Sequence, residues 1–138
     1  MPWRWREALA ATLCLAMAAP PSLADLRGRS RVVIVFAPDA RDPALAAERA
    51  ALHALTAAAD DRDLSVAEVI GAQTSALANG AADLRRRFHA PPSRFKVVLI
   101  GKDGHLALES ARPLPADALA ATIDAMPMRQ DEMRQRRP

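Results

Sequence analysis

One stretch sets the terms for the whole chain: Arg31-Val32-Val33-Ile34-Val35-Phe36-Ala37, followed at once by Pro38-Asp39-Ala40-Arg41-Asp42-Pro43. Val32 to Phe36 are apolar β-formers with no polar residue between them. A strand without alternation has to be covered on both faces, which places it in the middle of an α/β sheet. In open sheets of that kind, ligands and catalytic groups gather where such a strand ends. Pro38 to Pro43 is therefore the first place to look for chemistry, and it holds two prolines, an alanine and three charges.

The elements that follow are legible in order. Asp42-Pro43 opens a helix, because the aspartate can accept from the free amides of the first turn and a proline at the first helical position has no amide to lose. The periodicity of Leu45, Leu52, Leu55 and Ala59 predicts one helix to about Ala59, with Glu48, Arg49, His53 and Thr56 mostly to the sides of its apolar stripe. Asp60-Asp61-Arg62-Asp63 is a charged turn, and Leu64 to Ile70 is a second strand, parallel to the first across a right-handed crossover. Gly71 to Gly80 reads as a loop. Ala81 to His89 is a second helix, with Leu84 and Phe88 on one face and Arg85-Arg86-Arg87 around the rest.

Pro91-Pro92 stops that helix before a third strand, Phe95 to Ile100. Gly101-Lys102-Asp103-Gly104 is a hairpin signal, since Asp-Gly accepts the positive φ angles of a tight turn, and it returns His105 to Glu109 antiparallel. Pro113 and Pro115 introduce a last helix through Leu119, Ile123 and Met126. Met128 to Pro138 is polar and reads as a helical extension that frays into a solvated tail over residues 129–138.

The first residues have the make-up of an export signal: Trp3-Arg4-Trp5-Arg6 supplies positive charge, and Ala8 to Ala19 is an apolar run interrupted only by Thr12. The run is shorter than the roughly 20 residues of a membrane-spanning helix. Ser22-Leu23-Ala24 is small at both positions that a signal peptidase inspects, so cleavage is expected after Ala24, with an uncleaved anchor as the alternative. Residues 25–30 would then lead into a single domain, 31–128, large enough to bury about two thirds of its unfolded surface. The expected location is periplasmic or secreted, with no membrane span after cleavage.

Cys14 is the single cysteine of the 138-residue chain, and it lies inside the run that processing would discard. Disulfides, thiolate catalysis and cysteine metal sites would leave with it. Lys and Arg outnumber Asp and Glu by 19 to 16, a balance too even for a nucleic-acid footprint. Beyond the leader only Phe36, Phe88 and Phe95 are available for stacking on bases. His53, His89 and His105 have no metal-ligand spacing. No serine sits in a nucleophile elbow and no glycine loop has the spacing of a phosphate cradle. No cofactor is expected.

The order β-α-β-α-β-β-α is the minimal thioredoxin-like arrangement, a mixed four-stranded sheet with helices on both faces. Val33-Ile34-Val35-Phe36-Ala37 resembles the first core strand of thioredoxin and peroxiredoxin domains, and Leu99 to Gly104 their later strand and hairpin. Val35 to Pro38, Arg62-Asp63-Leu64, Val97 to Gly104 and Ile123 to Met128 together resemble the bacterial branch of the DUDES family, domain of unknown function 4174. These are peroxiredoxin-like domains of small secreted bacterial proteins and of animal extracellular proteins with sushi repeats or equarin-type modules. The resemblance covers roughly Arg31 to Met133. It implies a redox scaffold, yet the positions where thioredoxins carry Cys-x-x-Cys fall on Ala40 and Pro43. The peroxiredoxin cysteine near this helix start is missing too, and Pro91-Pro92 come slightly before the place of the thioredoxin cis-proline, near Phe95.

Three functional expectations follow. The first is a non-catalytic binding or structural module whose partner is another envelope protein. The second is a peroxiredoxin-like oxidoreductase using non-thiol groups in a pocket formed by Asp39, Arg41 and Asp42 with Gln73 and Thr74. The third is association of Arg85, Arg86 and Arg87 with an acidic partner or envelope polymer. Against the pocket, Asp42 reads as a cap, and carboxylates at a helix start repel the anions such a site attracts.

Overall fold

The computed structural model describes residues 19–137, so the apolar leader and Cys14 lie outside the described residues. β1 (Arg31–Ala37) is buried at every position. Its pleat sends alternate side chains to opposite faces, and the core divides accordingly. Val32, Ile34 and Phe36 join one apolar cluster, while Val33, Val35 and Ala37 join the other.

The helices complete the two layers. α1 (Leu23–Leu26) and α4 (Ala81–Arg87) supply Leu23, Ala81 and Leu84 to the first face. α2 (Pro43–Ala54), α3 (Thr56–Asp61) and α5 (Ala116–Asp124) cover the second, through Leu45, Leu119 and Ile123 among others. The remaining strands are β2 (Leu64–Ile70), β3 (Gln73–Ser75), β4 (Lys96–Ile100) and β5 (Leu106–Ser110). The sheet order is β3-β2-β1-β4-β5. β1 and β2 are parallel and the other pairings antiparallel.

The sheet thus has five strands where four were expected. The extra one, β3, lies in the segment expected to be a loop. Its three residues fold back on β2 by pairing Gln73 with Ile70 and Ser75 with Glu68, and a turn through Gly71, at φ +56°, makes the reversal. The expected helix from Pro43 is interrupted at Leu55, whose side chain is buried between α2 and α3. The β4–β5 turn follows expectation: Gly101 N donates to His105 O at 2.9 Å, and Gly104 takes φ +83°.

Both ends of the domain extend beyond 31–128. α1 is closed by a capping box in which Ser22 Oγ accepts from Asp25 N and an Asp25 carboxylate oxygen accepts from Ser22 N. It is docked as well: Ala78 N donates to Pro21 O, Leu23 N donates to Asn79 Oδ1, and Leu23 is only 7% exposed. At the other end the expected helical extension is a helix of its own, α6 (Pro127–Arg136), which runs through most of the segment expected to fray.

An ion-pair network at the start of β1 holds α6. Arg31, fully buried, donates to both carboxylate oxygens of Glu132 and to Arg62 O, and Lys102 joins Glu132 to Asp63. Arg129 donates to Asp124 and Asp61, and Arg62 grips Asp124 with two nitrogens. Burial alone would raise the Glu132 carboxyl, but hydrogen bonds from Lys102 and Arg31 outweigh it and hold the group below its ordinary range. Asp124 is lowered by the Arg62 hydrogen bond foremost, and Asp61 by that from Arg129.

Candidate functional site

At the C-terminal end of β1, Asp39, Arg41 and Asp42 are drawn together by the chain itself and are engaged locally. Asp39 Oδ1 accepts from Arg41 N at 2.8 Å, closing a tight turn, and Asp42 Oδ1 accepts from Ala44 N at 2.8 Å as the cap of α2. Ala40 occupies that turn, exposed, and Pro43 is the first residue of α2. Gln73 and Thr74 stand on β3, separated from β1 by β2. No hydrogen bond among the described residues links either side chain to Asp39, Arg41 or Asp42. The turn after β2 abuts the end of β1, Gly71 N donating to Ala37 O at 3.1 Å, and from there β3 runs back along β2 and carries Gln73 and Thr74 on that edge strand.

The group that does reach the end of β1 comes from α4. Arg85 Nη2 donates to Ala37 O and to Gly71 O, both at 3.1 Å, and Nη1 donates to Pro91 O at 3.2 Å. One guanidinium therefore ties together the last carbonyl of β1, the β2–β3 turn and the segment leading to β4. Its carbon lies 5.8 Å from the centroid of the Phe36 ring, within cation–π range. Only 8% of Arg85 is exposed, and burial pushes its guanidinium below the ordinary value.

This changes the reading of the arginine run. Arg85 is withdrawn from the surface, because it shares the inward face of α4 with Ala81, Leu84 and Phe88, three or four residues apart. That spacing was present in the sequence and could have separated it from its neighbours. Arg86 and Arg87 are exposed; Arg86 pairs with Asp83, and Arg87 lies over the Phe88 ring at 5.3 Å. The run is one buried tie and two surface cations, not a continuous docking strip.

A cleft of about 980 Å³ opens beside this tie, between the β2–β3 turn and α4. Ala72, Ala81, Ala82, Ala90, Pro91 and Pro92 supply its apolar wall, and Arg85, Arg86 and His89 its nitrogen-bearing side chains. No carboxylate lines it.

Glu48 is the second charged residue that sequence periodicity misplaces, being fully buried on α2 rather than at its side. Its Oε2 accepts from Leu114 N at 2.6 Å, and burial pushes its carboxyl up, opposed in part by that amide. Among the described residues, no group of three or more His, Cys, Asp or Glu side chains converges as a metal cluster, and His53, His89 and His105 are all exposed and dispersed. No described helix is long and apolar enough to cross a membrane.

Comparison with known proteins bears on fold and family. The family model described as "Domain of unknown function (DUF4174)" matches residues 22–132. No curated protein matches the sequence. Among solved structures, the crystal structure of the pneumococcal exposed lipoprotein thioredoxin (Etrx1) from Streptococcus pneumoniae strain TIGR4 superposes with a TM-score of 0.56. The two share 18% identity, over 75% of this chain and 90% of that one. The likeness is one of fold: a thioredoxin-like mixed sheet with helices on both faces.

Proposed function

The chain belongs to the DUF4174 family, and on that premise we propose that it is an exported thioredoxin-like domain acting as a non-catalytic binding module. With a single cysteine in the sequence it has no disulfide-forming pair. The observation that carries the reading is at the end of β1. Where thioredoxins carry their two cysteines this chain has Ala40 and Pro43, and the neighbouring carboxylates of Asp39 and Asp42 are engaged as turn and helix caps. An oxidoreductase built on those groups would have to use carboxylates that backbone amides already engage. The buried guanidinium of Arg85 and the open cleft beside it are features of a site that holds something.

Export is supported by the charged and apolar leader, and by analogy with the exposed lipoprotein thioredoxin whose fold it shares. The docking of Pro21 to Leu26 favours processing upstream of Pro21 over cleavage after Ala24, since a cut at Ala24 would sever α1 and discard Leu23. Ala16 and Ala18 place small residues at the two inspected positions for a cut after Ala18.

The test is a peroxide and disulfide turnover assay on residues 19–138, a chain without any cysteine. The expected result is no turnover above buffer. Robust turnover that follows the folded protein through purification would overturn the reading.

A further inference from the structure

The cleft beside Arg85 has an unusual balance. Its wall is mainly alanine and proline, its charged and titratable members are two arginines and a histidine, and it includes no acid. Arg86 has its countercharge in Asp83. Arg85 has none: among the described residues no carboxylate lies within ion-pair distance, and its three hydrogen bonds all end on backbone carbonyls.

Those carbonyls do not neutralise it. A guanidinium has five N–H donors and no acceptor, and here Nε lacks any partner while being buried. An unpaired charge in a low-dielectric setting is costly, and an anion delivered with its own apolar surround relieves that cost. Both Nη2 hydrogens are committed to Ala37 O and Gly71 O and one Nη1 hydrogen to Pro91 O, so an incoming monoanion meets the single uncompensated charge through the one Nη1 hydrogen that remains.

We propose that this cleft is a binding site for a small monocarboxylate with an apolar body, its carboxylate directed to Arg85 and its chain laid against Ala72, Ala82, Ala90 and Pro92. The inference rests on the binding-module reading and adds the ligand class. The cleft lies at the upper end of the range of roughly 300–1,000 Å³ for small-molecule sites, and its few polar groups on an apolar wall have the usual make-up of one. His89, at φ +51° on the exposed end of α4, stands at the rim.

The experiment titrates residues 19–138 with octanoate, octanol and acetate by calorimetry, in parallel with Ala82→Trp. Ala82 is exposed on α4 and lines the cleft, so the indole intrudes on the apolar wall where the ligand chain would lie, at a position that makes none of the Arg85 hydrogen bonds. The expected result is one octanoate per chain, at least tenfold weaker binding of octanol and of acetate, and at least a tenfold loss of octanoate affinity in an Ala82→Trp variant that keeps the wild-type melting temperature. Octanoate and octanol binding alike, no octanoate binding, or a folded Ala82→Trp that binds as wild type would each overturn the proposal. Arg85→Lys provides a second variant that retains the charge; its octanoate affinity is expected to fall tenfold or more, since an ammonium cannot be held at the cleft by the three carbonyls that hold the guanidinium, and an unchanged affinity would overturn the proposal. Redox turnover and octanoate binding are read separately, so a failure of this site is distinguishable from a failure of the non-catalytic reading.

Discussion

Removing residues 19–24 from the domain tests whether the N-terminal segment is part of the fold or a passive leader. Leu23 sits in the same apolar cluster as Ile34, Phe36 and Leu84 and is 7% exposed. Burying a leucine side chain is worth about 2 kcal/mol at ~25 cal/mol per Å² of apolar surface. The truncation also removes the acceptor of Ala78 N and the donor to Asn79 Oδ1, both at 2.9 Å. Each contributes about 0.5 kcal/mol, the low end of the usual range, because water can replace either partner. The sum is about 3 kcal/mol. With a urea slope of about 1–3 kcal/mol per molar, the unfolding midpoint of residues 25–138 should lie at least about 1 M below that of residues 19–138. Leu23→Ala in the longer chain should by itself reproduce about 2 kcal/mol of that loss. Coincident midpoints for the two lengths would refute the reasoning, since they would mean that α1 docks without contributing to stability.

The same docking predicts that N-terminal sequencing of exported protein finds a first residue upstream of Pro21; a chain beginning at Asp25 would contradict it. Glu132 is held below its ordinary value near 4.5, so the unfolded chain takes up its proton first. Its stabilisation is complete above about 4.5 and is lost as the pH falls through the folded-state value. Glu132→Gln should flatten the acid limb of a stability-versus-pH profile, and an unchanged limb would remove the network from the account. Glu48 has the opposite sign. Its folded-state value lies above the ordinary 4.5, so its contribution is present below that pH and is lost as pH rises through the raised value. Chemical denaturation of Glu48→Gln between pH 4 and 8 should show that decline removed; an identical slope would refute the assignment.

Much of the scaffold was legible because it depends on local rules. The unbroken apolar run of β1, the Asp42-Pro43 helix start and the Asp103-Gly104 turn each carry their cause within a few residues. What escaped depended on partners distant in sequence. The fifth strand is three residues long and exists because Ile70, Val69 and Glu68 offer it an edge. α6 is polar in composition, and it is held by Arg31 and Lys102 through Glu132, 101 and 30 residues away. Arg85 could be placed on an inward face by its spacing, but its role could not, since Ala37 O lies 48 residues from it in the chain.

The sequence by itself determined the class of the domain, the order of its main elements and the absence of a disulfide-forming cysteine pair, because those follow from hydrophobic period, turn residues and the identity of single side chains. Tertiary structure decided which charges go inside. A buried Arg85, Arg31 or Glu48 is tolerable only where folding delivers carbonyls, carboxylates or amides from remote segments to meet it, and no local pattern records where those segments will arrive.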